Sequence, residues 1–363
     1  MKKSKVPLRL INILADGMFH SGEKLGEIMG ISRTAINKHI RTIKSWGLDV
    51  FSLSGRGYCL TCPLQLLDEK KIRSYIPTAL EVAARRPGCE TDERRQLRDS
   101  ANTCSQQRGG FKGEGYMPSA SGNIEVLSII DSTNQYLLER MNELQSGDAC
   151  VAEYQYSGRG RRGRQWVSPF GSNIYFSMFW RLEQGPESVM GLSLVIGTAI
   201  AEVLKQMGVE DIRVKWPNDL YLHGKKLAGI LVELTGKMGD AVQLVMGVGI
   251  NILMPITAQK ESINQDWTTL QEAGITIDRN ELTAELFATL KRDMMQFEKE
   301  GLTAFIDRWR QLDNYCDCPV KLIVGKKEIR GIARGIDSQG ALLLEQNGTV
   351  KAYNGGEISL RGV

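Results

Sequence analysis

The sequence predicts a multidomain α+β protein with a small basic helical head, a mixed α/β body and a short all-β tail. Its 363 residues allow two or three domains with cores of their own. Residues 1–60 contain ten Lys or Arg and four Asp or Glu, a charge of +6, whereas the whole chain carries only +4. Helix and strand patterns alternate along residues 123–312, and short strands separated by turns fill residues 319–363. A basic head on a near-neutral body indicates a nucleic-acid partner for the head and a different task for the body.

The composition is that of an ordinary globular protein, with 42% hydrophobic and 24% charged residues. No apolar run is long enough to span a membrane, and the first residues lack the apolar core of a signal peptide. We therefore expect a cytoplasmic protein without a membrane partner. Seven cysteines are an odd number, and no histidine is close in sequence to the Cys59/Cys62 or Cys316/Cys318 pairs. These pairs indicate reduced thiols and not a zinc site.

The head begins with two short amphipathic helices. Residues 7–18 have helical apolar spacing, and Ser21 is placed to cap the helix that follows. Leu25 and Ile28 are predicted to form the inward face of that second helix. Gly30 should end it, because glycine readily adopts the left-handed conformation of a helix C-terminus.

A basic helix follows this glycine turn. Ser32 is placed to cap residues 33–46, in which Ile36, Ile40 and Ile43 are spaced to face inward. Two helices joined by a tight glycine turn, with a basic second helix, predict a helix-turn-helix.

We assign the helix-turn-helix to Gly22–Arg41, and strand patterns at residues 50–53 and 57–60 add the wing of a winged helix. Residues 1–62 are therefore predicted to be a DNA-binding domain. A helical bundle that binds another protein is the alternative. DNA is favoured because attraction to phosphates supplies most of the non-specific affinity for nucleic acid, and the outer face of the helix at residues 33–46 is basic. That face consists of Arg33, Asn37, Lys38, Arg41 and Lys44.

Residues 63–84 are predicted to link head and body, mainly through an amphipathic helix. Arg85–Gly122 differ in kind, because they are rich in arginine and glycine, poor in aliphatic residues and without any period. We predict that they form a disordered or weakly ordered insert. A strand pattern resumes at residues 123–132, and Ser132 or Asn134 should cap the helix that follows.

The most conspicuous segment is Gly158–Arg164, which contains four arginines and three glycines. Arginine forks match phosphate oxygens two at a time, and glycine lets a backbone approach a ligand closely. The run has no apolar face, so we expect a mobile surface loop that closes over a phosphorylated ligand. A flexible basic loop or a nucleic-acid-binding segment is the alternative on composition alone.

The body contains further buried strands and helices, and the tail contains only strands. Residues 214–221 and 226–233 are predicted to be a strand pair joined by a turn at 223–225, and residues 241–251 a strand whose glycines would let a ligand lie flat. The remaining predicted strands are 151–155, 173–180, 320–324, 328–332, 341–344 and 357–360, and the remaining helices are 190–207, 279–298 and 301–312.

Together these motifs resemble the biotin protein ligases. With the winged head, the chain is similar to the enterobacterial type that is both a biotin–[acetyl-CoA-carboxylase] ligase and the biotin operon repressor. The resemblance covers nearly the whole chain except Arg85–Gly122, where the family has a short connection. It implies a class II synthetase-like catalytic domain at residues 123–314 and a small antiparallel β-barrel at 315–363. It rests on Ser132–Asn134, Gln155, Gly158–Arg164, Lys215–Asp219, Lys226–Ile230 and Gly247–Asn251.

The resemblance implies a two-step reaction. Biotin and ATP would give biotinyl-5′-AMP, and a lysine of the biotin carboxyl carrier protein would then take the biotinyl group. Lys226, Arg159 and Arg161 would be catalytic, and Asp219 would bind Mg²⁺ or orient Lys226. The implied biotin-binding residues are Ser132, Thr133, Asn134, Gln155, Arg159, Gly160, Arg161 and Lys226. The implied ATP or adenylate residues are Arg161, Arg164, Trp166, Asn218 and Lys226.

The resemblance also implies regulation. Bound biotinyl-5′-AMP would act as corepressor by favouring a homodimer, whose two heads would bind a palindromic operator of the biotin operon. A repressor that senses a ligand without ligase activity is the main alternative. A lipoate-type acyltransferase is a second alternative, against which the winged head and the Gly/Arg run argue.

Overall fold

A computed structural model describes residues 5–76, 122–183, 189–236, 241–255, 266–324, 327–354 and 358–362. Apart from Gly122, the predicted insert Arg85–Gly122 lies outside the described residues, so its disorder stays a prediction. Within the described ranges, no helix is both long enough and apolar enough to cross a membrane.

The head is a three-helix unit followed by a hairpin. Helix α3 is the basic helix, and the two wing strands pair antiparallel between the predicted residues. The core of the head contains Leu10, Leu25, Ile36 and Ile40. The elements are α1 Lys5–Leu14, α2 Gly22–Met29, α3 Arg33–Ser45, β1 Val50–Leu53 and β2 Gly57–Leu60.

The two predicted helix caps of the head are confirmed, but the prediction of one core residue is wrong. The Ser21 side chain accepts a hydrogen bond from the Lys24 amide, and Ser32 accepts one from the Ala35 amide. Leu25 is fully buried, but Ile28 is 43% exposed. The inward face of α2 follows the helical period through Gly22, Leu25, Gly26 and Met29, and Ile28 lies to one side of it.

The linker is less helical than predicted. Helix α4 spans only Glu69–Tyr75, and residues 77–84 lie outside the described part. The extended segment before α4 is bound by a buried ion pair between Arg279 and Glu153, 2.8 Å apart. Arg279 also donates to the Gln65 carbonyl oxygen, and Glu153 accepts from the Leu67 amide. These buried partners explain why Leu67 is covered without being part of a helix.

The body is built on one seven-stranded mixed sheet with the order β3-β4-β5-β9-β8-β7-β6. Only β3 and β4 pair parallel, and the remaining neighbours are antiparallel. The strands are β3 Ile124–Leu127, β4 Ala149–Ala152, β5 Ile174–Leu182, β6 Ile212–Lys215, β7 Asp219–Leu222, β8 Lys225–Thr235 and β9 Val242–Ile250. The helices are α5 Thr133–Leu138, α6 Leu192–Gln206, α7 Arg279–Glu300 and α8 Ile306–Leu312.

The segment 214–221, predicted as one strand, is two strands joined by a tight reversal. Trp216, Pro217 and Asn218 form the turn, so that Lys215 of β6 lies opposite Asp219 of β7. Proline has no backbone N–H to give to a sheet, which suits a turn and not a strand interior. The reversal places Lys215 and Asp219 beside each other at the same end of the sheet.

The tail is a five-stranded antiparallel sheet with the order β13-β12-β11-β10-β14. The predicted antiparallel all-β tail is therefore confirmed. Strand β13 was missed because its alternation of Val350 and Ala352 with polar residues covers only five residues and contains one large aliphatic side chain. The strands are β10 Pro319–Val324, β11 Lys327–Ile336, β12 Leu342–Gln346, β13 Thr349–Tyr353 and β14 Ile358–Gly362.

The head contacts the body through the end of α3. The ring of Trp46 stacks on Phe170 with centroids 6.0 Å apart and lies 5.9 Å from the ring of Tyr154. The Phe170 amide donates to the Trp46 carbonyl oxygen at 2.9 Å. Tyr154 and Phe170 lie close in sequence to residues that line the main cavity of the body. The head and the body therefore meet close to that cavity.

Candidate active site

A cavity of about 670 Å³ lies over the face of the main sheet. Four parts of the chain form most of its wall: the N-terminus of α5, the Gly/Arg run, the turn between β6 and β7, and the glycine-containing strands β8 and β9. Asp266, Tyr315 and Arg361 also line it. The structure brings every ligand and catalytic residue predicted for the body to this one cavity. These are Ser132, Thr133, Asn134, Gln155, Arg159, Gly160, Arg161, Arg164, Trp166, Asn218, Asp219 and Lys226.

One end of the cavity, here called the amide end, is lined by Ser132, Thr133, Asn134 and Gln155, and the buried Ser177 supports it from beneath. The Gln155 Oε1 atom accepts from the Thr133 amide at 2.8 Å and from the Thr133 hydroxyl at 3.1 Å. The Ser177 hydroxyl lies 2.7 Å from Thr133 Oγ1 and donates to Asn134 Oδ1 at 2.6 Å. The side chains are thus fixed by one another before any ligand binds.

Ser132 occupies the N-cap position of α5, but its side chain makes no capping hydrogen bond. The prediction that Ser132 or Asn134 caps this helix is therefore wrong for the side chains. Asn134 instead turns toward the sheet, where its Nδ2 atom donates to Glu233 Oε2 at 2.8 Å. Ser132 is 4% exposed and lines the cavity.

Ser177 and Glu233 were not predicted as site residues. Ser177 is a fully buried polar residue in the apolar strand β5, which is the one signal that the sequence offered for it. Glu233 accepts from both Asn134 and Arg159, and the Arg159 ion pair measures 2.9 Å. Its partners are 99 and 74 residues away in the sequence, so no local pattern could reveal them.

Glycines on β8 and β9 let other side chains approach the sheet closely. A Cβ at Gly249 would collide with the Trp166 ring, and one at Gly247 would collide with the Asn134 amide. A Cβ at Gly229 would lie 3.0 Å from Trp166 Cζ3. In the structure, the space over Gly247 and Gly249 is taken by the side chains of Asn134 and Trp166, so a ligand lying flat against β9 stays a prediction.

The Gly/Arg run has a defined fold in the structure. Arg161–Gly163 form one turn of 3₁₀ helix, and the Gly160 amide donates to the Arg164 carbonyl oxygen at 2.7 Å. Arg159 is bound to Glu233, and Arg161 Nη1 donates to Asn218 Oδ1. The run thus reaches across the cavity to β8 and to the β6–β7 turn. Its mobility stays a prediction.

The opposite end of the cavity, here called the charged end, is formed by Arg161, Lys215, Asn218, Asp219 and Lys226. Lys226 Nζ and Asp219 Oδ1 form an ion pair of 2.8 Å, and Lys226 Nζ lies 5.6 Å from the centre of the Trp166 ring. Burial lowers the pKa of Arg161, and neighbouring Arg162 acts in the same direction. Because Arg161, Lys215 and Lys226 outnumber the carboxylate of Asp219 here, this end favours an anionic ligand.

Asn218 fixes the geometry of the charged end. Its backbone oxygen accepts from the Ile230 amide at 3.0 Å, and its Nδ2 atom donates to the Ile230 carbonyl oxygen at 2.9 Å. The side-chain oxygen is thereby aimed at Arg161. The orientation of the Asn218 side chain thus depends on its contacts with Ile230 of the neighbouring strand β8.

The described residues contain no group of three His, Cys, Asp or Glu that could hold a metal ion. Asp219 is the carboxylate at the charged end, and it is engaged by Lys226 at 2.8 Å. This arrangement fits the predicted orienting role of Asp219. It fits Mg²⁺ only as an ion carried mainly by substrate phosphates, which is a common arrangement for this cation.

The predicted DNA-binding face is accessible on α3. Ile36, Ile40 and Ile43 are buried on the opposite side of the helix. Arg33 contributes one of its nitrogens to a contact with Glu23 at 3.7 Å, but its side chain is 73% exposed. The exposed residues of the outer face are Arg33, Asn37, Lys38, Arg41 and Lys44.

Three family models match the chain in the order of its domains. Residues 8–59 match an HTH domain, residues 126–251 the biotin/lipoate A/B protein ligase family, and residues 315–361 the biotin protein ligase C-terminal domain. The chain is 56% identical to the bifunctional ligase/repressor BirA of Salmonella typhimurium and 54% identical to that of Escherichia coli, over 99% of each sequence. The chain belongs to the family of bifunctional biotin ligase/repressors. This ligase is an enzyme joined to a DNA-binding head.

Solved structures agree with this assignment. A biotin protein ligase from Aquifex aeolicus in complex with biotin and ATP is similar to this ligase with a TM-score of 0.57 and 31% identity. The similarity covers 66% of this chain and 99% of that one. The central family model includes lipoate ligases, so the distinction from a lipoate-type acyltransferase comes from the full-length relatives. The alternative of a repressor without ligase activity is set aside for the same reason.

Proposed function

We propose that the ligase makes biotinyl-5′-AMP and pyrophosphate from biotin and ATP, and then transfers biotin to a lysine of the biotin carboxyl carrier protein of acetyl-CoA carboxylase. One observation carries the proposal. A single cavity joins a neutral, pre-bonded amide end to a charged end containing Lys226 and Arg161. Biotin has matching chemistry, since a ureido ring lies at one end of the molecule and a carboxylate at the other.

The amide end would bind the ureido ring. Thr133, Asn134 and Gln155 offer amide and hydroxyl groups, and Ser132 adds a hydroxyl that makes no capping bond. A site built to hydrogen-bond a polar group discriminates strongly against analogues that lack it, because its own buried groups would be left unpaired. We therefore assign specificity for biotin to this end.

The charged end would carry out activation. A biotin carboxylate oxygen attacks the α-phosphorus of ATP, an O–P bond forms, and the bond to the pyrophosphate oxygen breaks. Both reacting groups are anionic, so positive charge fixed beforehand lowers the barrier. Lys226, Arg159 and Arg161 would supply that charge, with Asn218, Arg164 and Trp166 contacting the adenylate. Mg²⁺ would enter with the phosphates, near Asp219, and offset part of their charge.

We also propose that the ligase represses the biotin biosynthetic operon when biotinyl-5′-AMP stays bound. The adenylate would favour a homodimer that presents two helix-turn-helix heads to operator DNA. The exposed basic face of α3 supports DNA contact. The contact of Trp46 with Tyr154 and Phe170 places the end of α3 close to the walls of the cavity.

A transfer assay tests this function. The purified chain is mixed with biotin, MgATP and the apo biotin carboxyl carrier domain, and the mass of the carrier domain is followed. We expect a mass gain equal to one biotinyl group that requires both biotin and ATP. The same assay with lipoate in place of biotin should give no gain. A carrier domain that gains no mass, or gains lipoyl at a similar rate, would contradict the proposal.

A further inference from the structure

Two carboxylates line the cavity in the part of the chain that the structure describes, and their surroundings differ. The Asp219 side chain is 19% exposed and forms the 2.8 Å ion pair with Lys226. Asp266 is exposed, and no described lysine, arginine or histidine forms an ion pair with its carboxylate within 4.0 Å. The cavity thus holds one neutralised carboxylate and one whose negative charge has no cationic partner among the described residues.

The backbone holds Asp266 beside the charged end of the cavity. The Lys226 amide donates to the Asp266 carbonyl oxygen at 3.1 Å, and the Thr268 amide donates to the Lys226 carbonyl oxygen at 2.9 Å. Between these two bonds, Trp267 forms an isolated parallel bridge with Lys226. The chain around Asp266 therefore runs alongside the start of β8, which fixes the position of Asp266 relative to Lys226.

The first half-reaction offers no task for an unpaired carboxylate at this place. Five arginines and two lysines line the same cavity. Such a wall suits the carboxylate of biotin and the phosphates of ATP, which are all anionic. The charge of Asp266 repels both substrates, because like charges raise the free energy of approach. The carboxylate therefore fits a different visitor, one that carries positive charge.

The transfer step brings such a charge. The acceptor is a lysine side chain, whose ordinary pKa of about 10.4 means that it arrives as an ammonium ion at neutral pH. It has to approach the bound adenylate along a wall in which cations outnumber carboxylates. An exposed carboxylate without an existing ion pair offsets part of that repulsion. Asp219 is less suited to this task, because Lys226 already neutralises it.

We propose that Asp266 is a specificity-determining residue that receives the ammonium of the acceptor lysine when the carrier domain docks. This inference rests on the two-step function proposed above. The Asp266 carboxylate forms an ion pair with the ammonium and thereby holds the acceptor side chain beside the charged end. No covalent bond forms or breaks in this step. Asp266 thus acts on the recognition of the acceptor and not on the activation of biotin.

The test measures biotin transfer against the concentration of the carrier domain. The full-length enzyme, loaded with biotinyl-5′-AMP, is mixed with excess apo carrier domain, and the single-turnover rate is followed. Asp266→Asn should raise the carrier concentration that gives half of the maximal rate by about three- to fivefold, as the loss of an exposed ion pair would. Asp266→Lys should raise it about tenfold or more, because repulsion replaces attraction. Asp266→Glu keeps the charge and should stay within about twofold of the wild type.

Two further conditions show whether the ammonium itself is recognised. At an ionic strength of about 1 M the Debye length is only about 3 Å, so the difference between wild type and Asp266→Asn should disappear. A carrier domain whose acceptor lysine is replaced by glutamine cannot react, and it serves as a competitive inhibitor of transfer. It should inhibit the wild type and Asp266→Asn equally, because it lacks the group that Asp266 binds.

The first half-reaction and a neutral nucleophile separate this role from a structural one. In Asp266→Asn, the KM values for biotin and MgATP in pyrophosphate release should stay within about twofold of the wild type. Hydroxylamine is uncharged at pH 7, so it should cleave the bound adenylate at the wild-type rate. Asp307→Asn, exposed on α8 and outside the cavity wall, is the matched control and should leave every readout unchanged.

Three results would overturn the role of Asp266. The first is a half-saturating carrier concentration that does not change in Asp266→Asn. The second is a change that persists at high salt or that appears equally with the glutamine carrier. The third is a rise in the KM for MgATP that matches the change for the carrier, which would assign Asp266 to the nucleotide or its Mg²⁺. Each differs from a failure of the proposed function, because biotin transfer by the wild type is measured separately.

Discussion

The two ends of the cavity differ in how their polar groups are satisfied. At the amide end, Thr133, Asn134, Gln155 and Ser177 are joined to one another by hydrogen bonds. At the charged end, cations outnumber the carboxylates that line it, and Lys215 is left without an ion pair among the described residues. A satisfied network is suited to recognition, whereas uncompensated charge is suited to stabilising a reaction. We therefore expect substitutions at the amide end to raise KM and those at the charged end to lower kcat.

The largest effect is expected at the charged end. Lys226→Ala removes the ammonium that would stabilise charge as the carboxylate attacks phosphorus, so kcat for adenylate formation should fall by about 100- to 1,000-fold. The KM for biotin should change far less. Pyrophosphate release at varied biotin concentration measures both parameters. Lys225→Ala is the control, and similar losses in the two variants would remove Lys226 from the mechanism.

The amide end should give the opposite pattern. Asn134→Ala removes an amide that lines the cavity and deprives Ser177 and Glu233 of one hydrogen bond each, and a hydrogen bond lost at a buried polar group costs about 1–3 kcal/mol. The KM for biotin should rise about 10- to 100-fold, while kcat stays within a few-fold. Titrations of pyrophosphate release show the split. A loss confined to kcat would break the distinction between the two ends.

A smaller substitution, at Gly247, tests the same role of Asn134 in binding biotin. A Cβ at Gly247 would collide with the Asn134 amide, whose hydrogen bonds prevent it from moving freely. Gly247→Ala should therefore raise the KM for biotin in the same way as Asn134→Ala, by about tenfold. In the double variant the two effects should not add, because they act on one group. Independent effects would show that Asn134 is not the point of contact.

Substitutions on the DNA-binding face of the head should leave the rate of biotin ligation unchanged. Lys38→Ala removes one exposed positive charge from α3, so operator affinity should fall and the salt slope should become shallower by about one unit. Biotin transfer should stay at the wild-type rate. Fluorescence anisotropy with operator DNA at several salt concentrations measures the slope. Lys351→Ala, exposed on the tail, is the control, and an equal change there would contradict the assignment of the DNA-binding face.

The sequence predicted those parts that depend on local signals. The wing strands were predicted at their observed residues, and Ser21 and Ser32 cap the helices that they were predicted to cap. A cap or hairpin is decided within a few residues, so one sequence contains the information. Ile28 shows the limit, because Ile28 and Met29 both have helical spacing from Leu25, and only the packing of the head decides that Met29 faces the core.

The site was predicted as a set of residues but not as an arrangement. Glu233 and Ser177 contribute through partners on α5 and in the Gly/Arg run, and the fold that brings them together is not a local property. The reversal between β6 and β7 was also missed, and it is what places Lys215 beside Asp219. The motif resemblance identified the residues of the site, and only the fold shows that Lys215 and Lys226 have different surroundings.

The most direct test of the account is pyrophosphate release before any acceptor is present. Enzyme, biotin and MgATP are mixed rapidly, and pyrophosphate is measured over the first turnover. If the cavity activates biotin, release should occur as a burst of about one equivalent per active site, followed by biotin transfer when the carrier domain is added. If pyrophosphate forms only after the carrier domain is present, the two-step reaction assigned to the cavity is wrong.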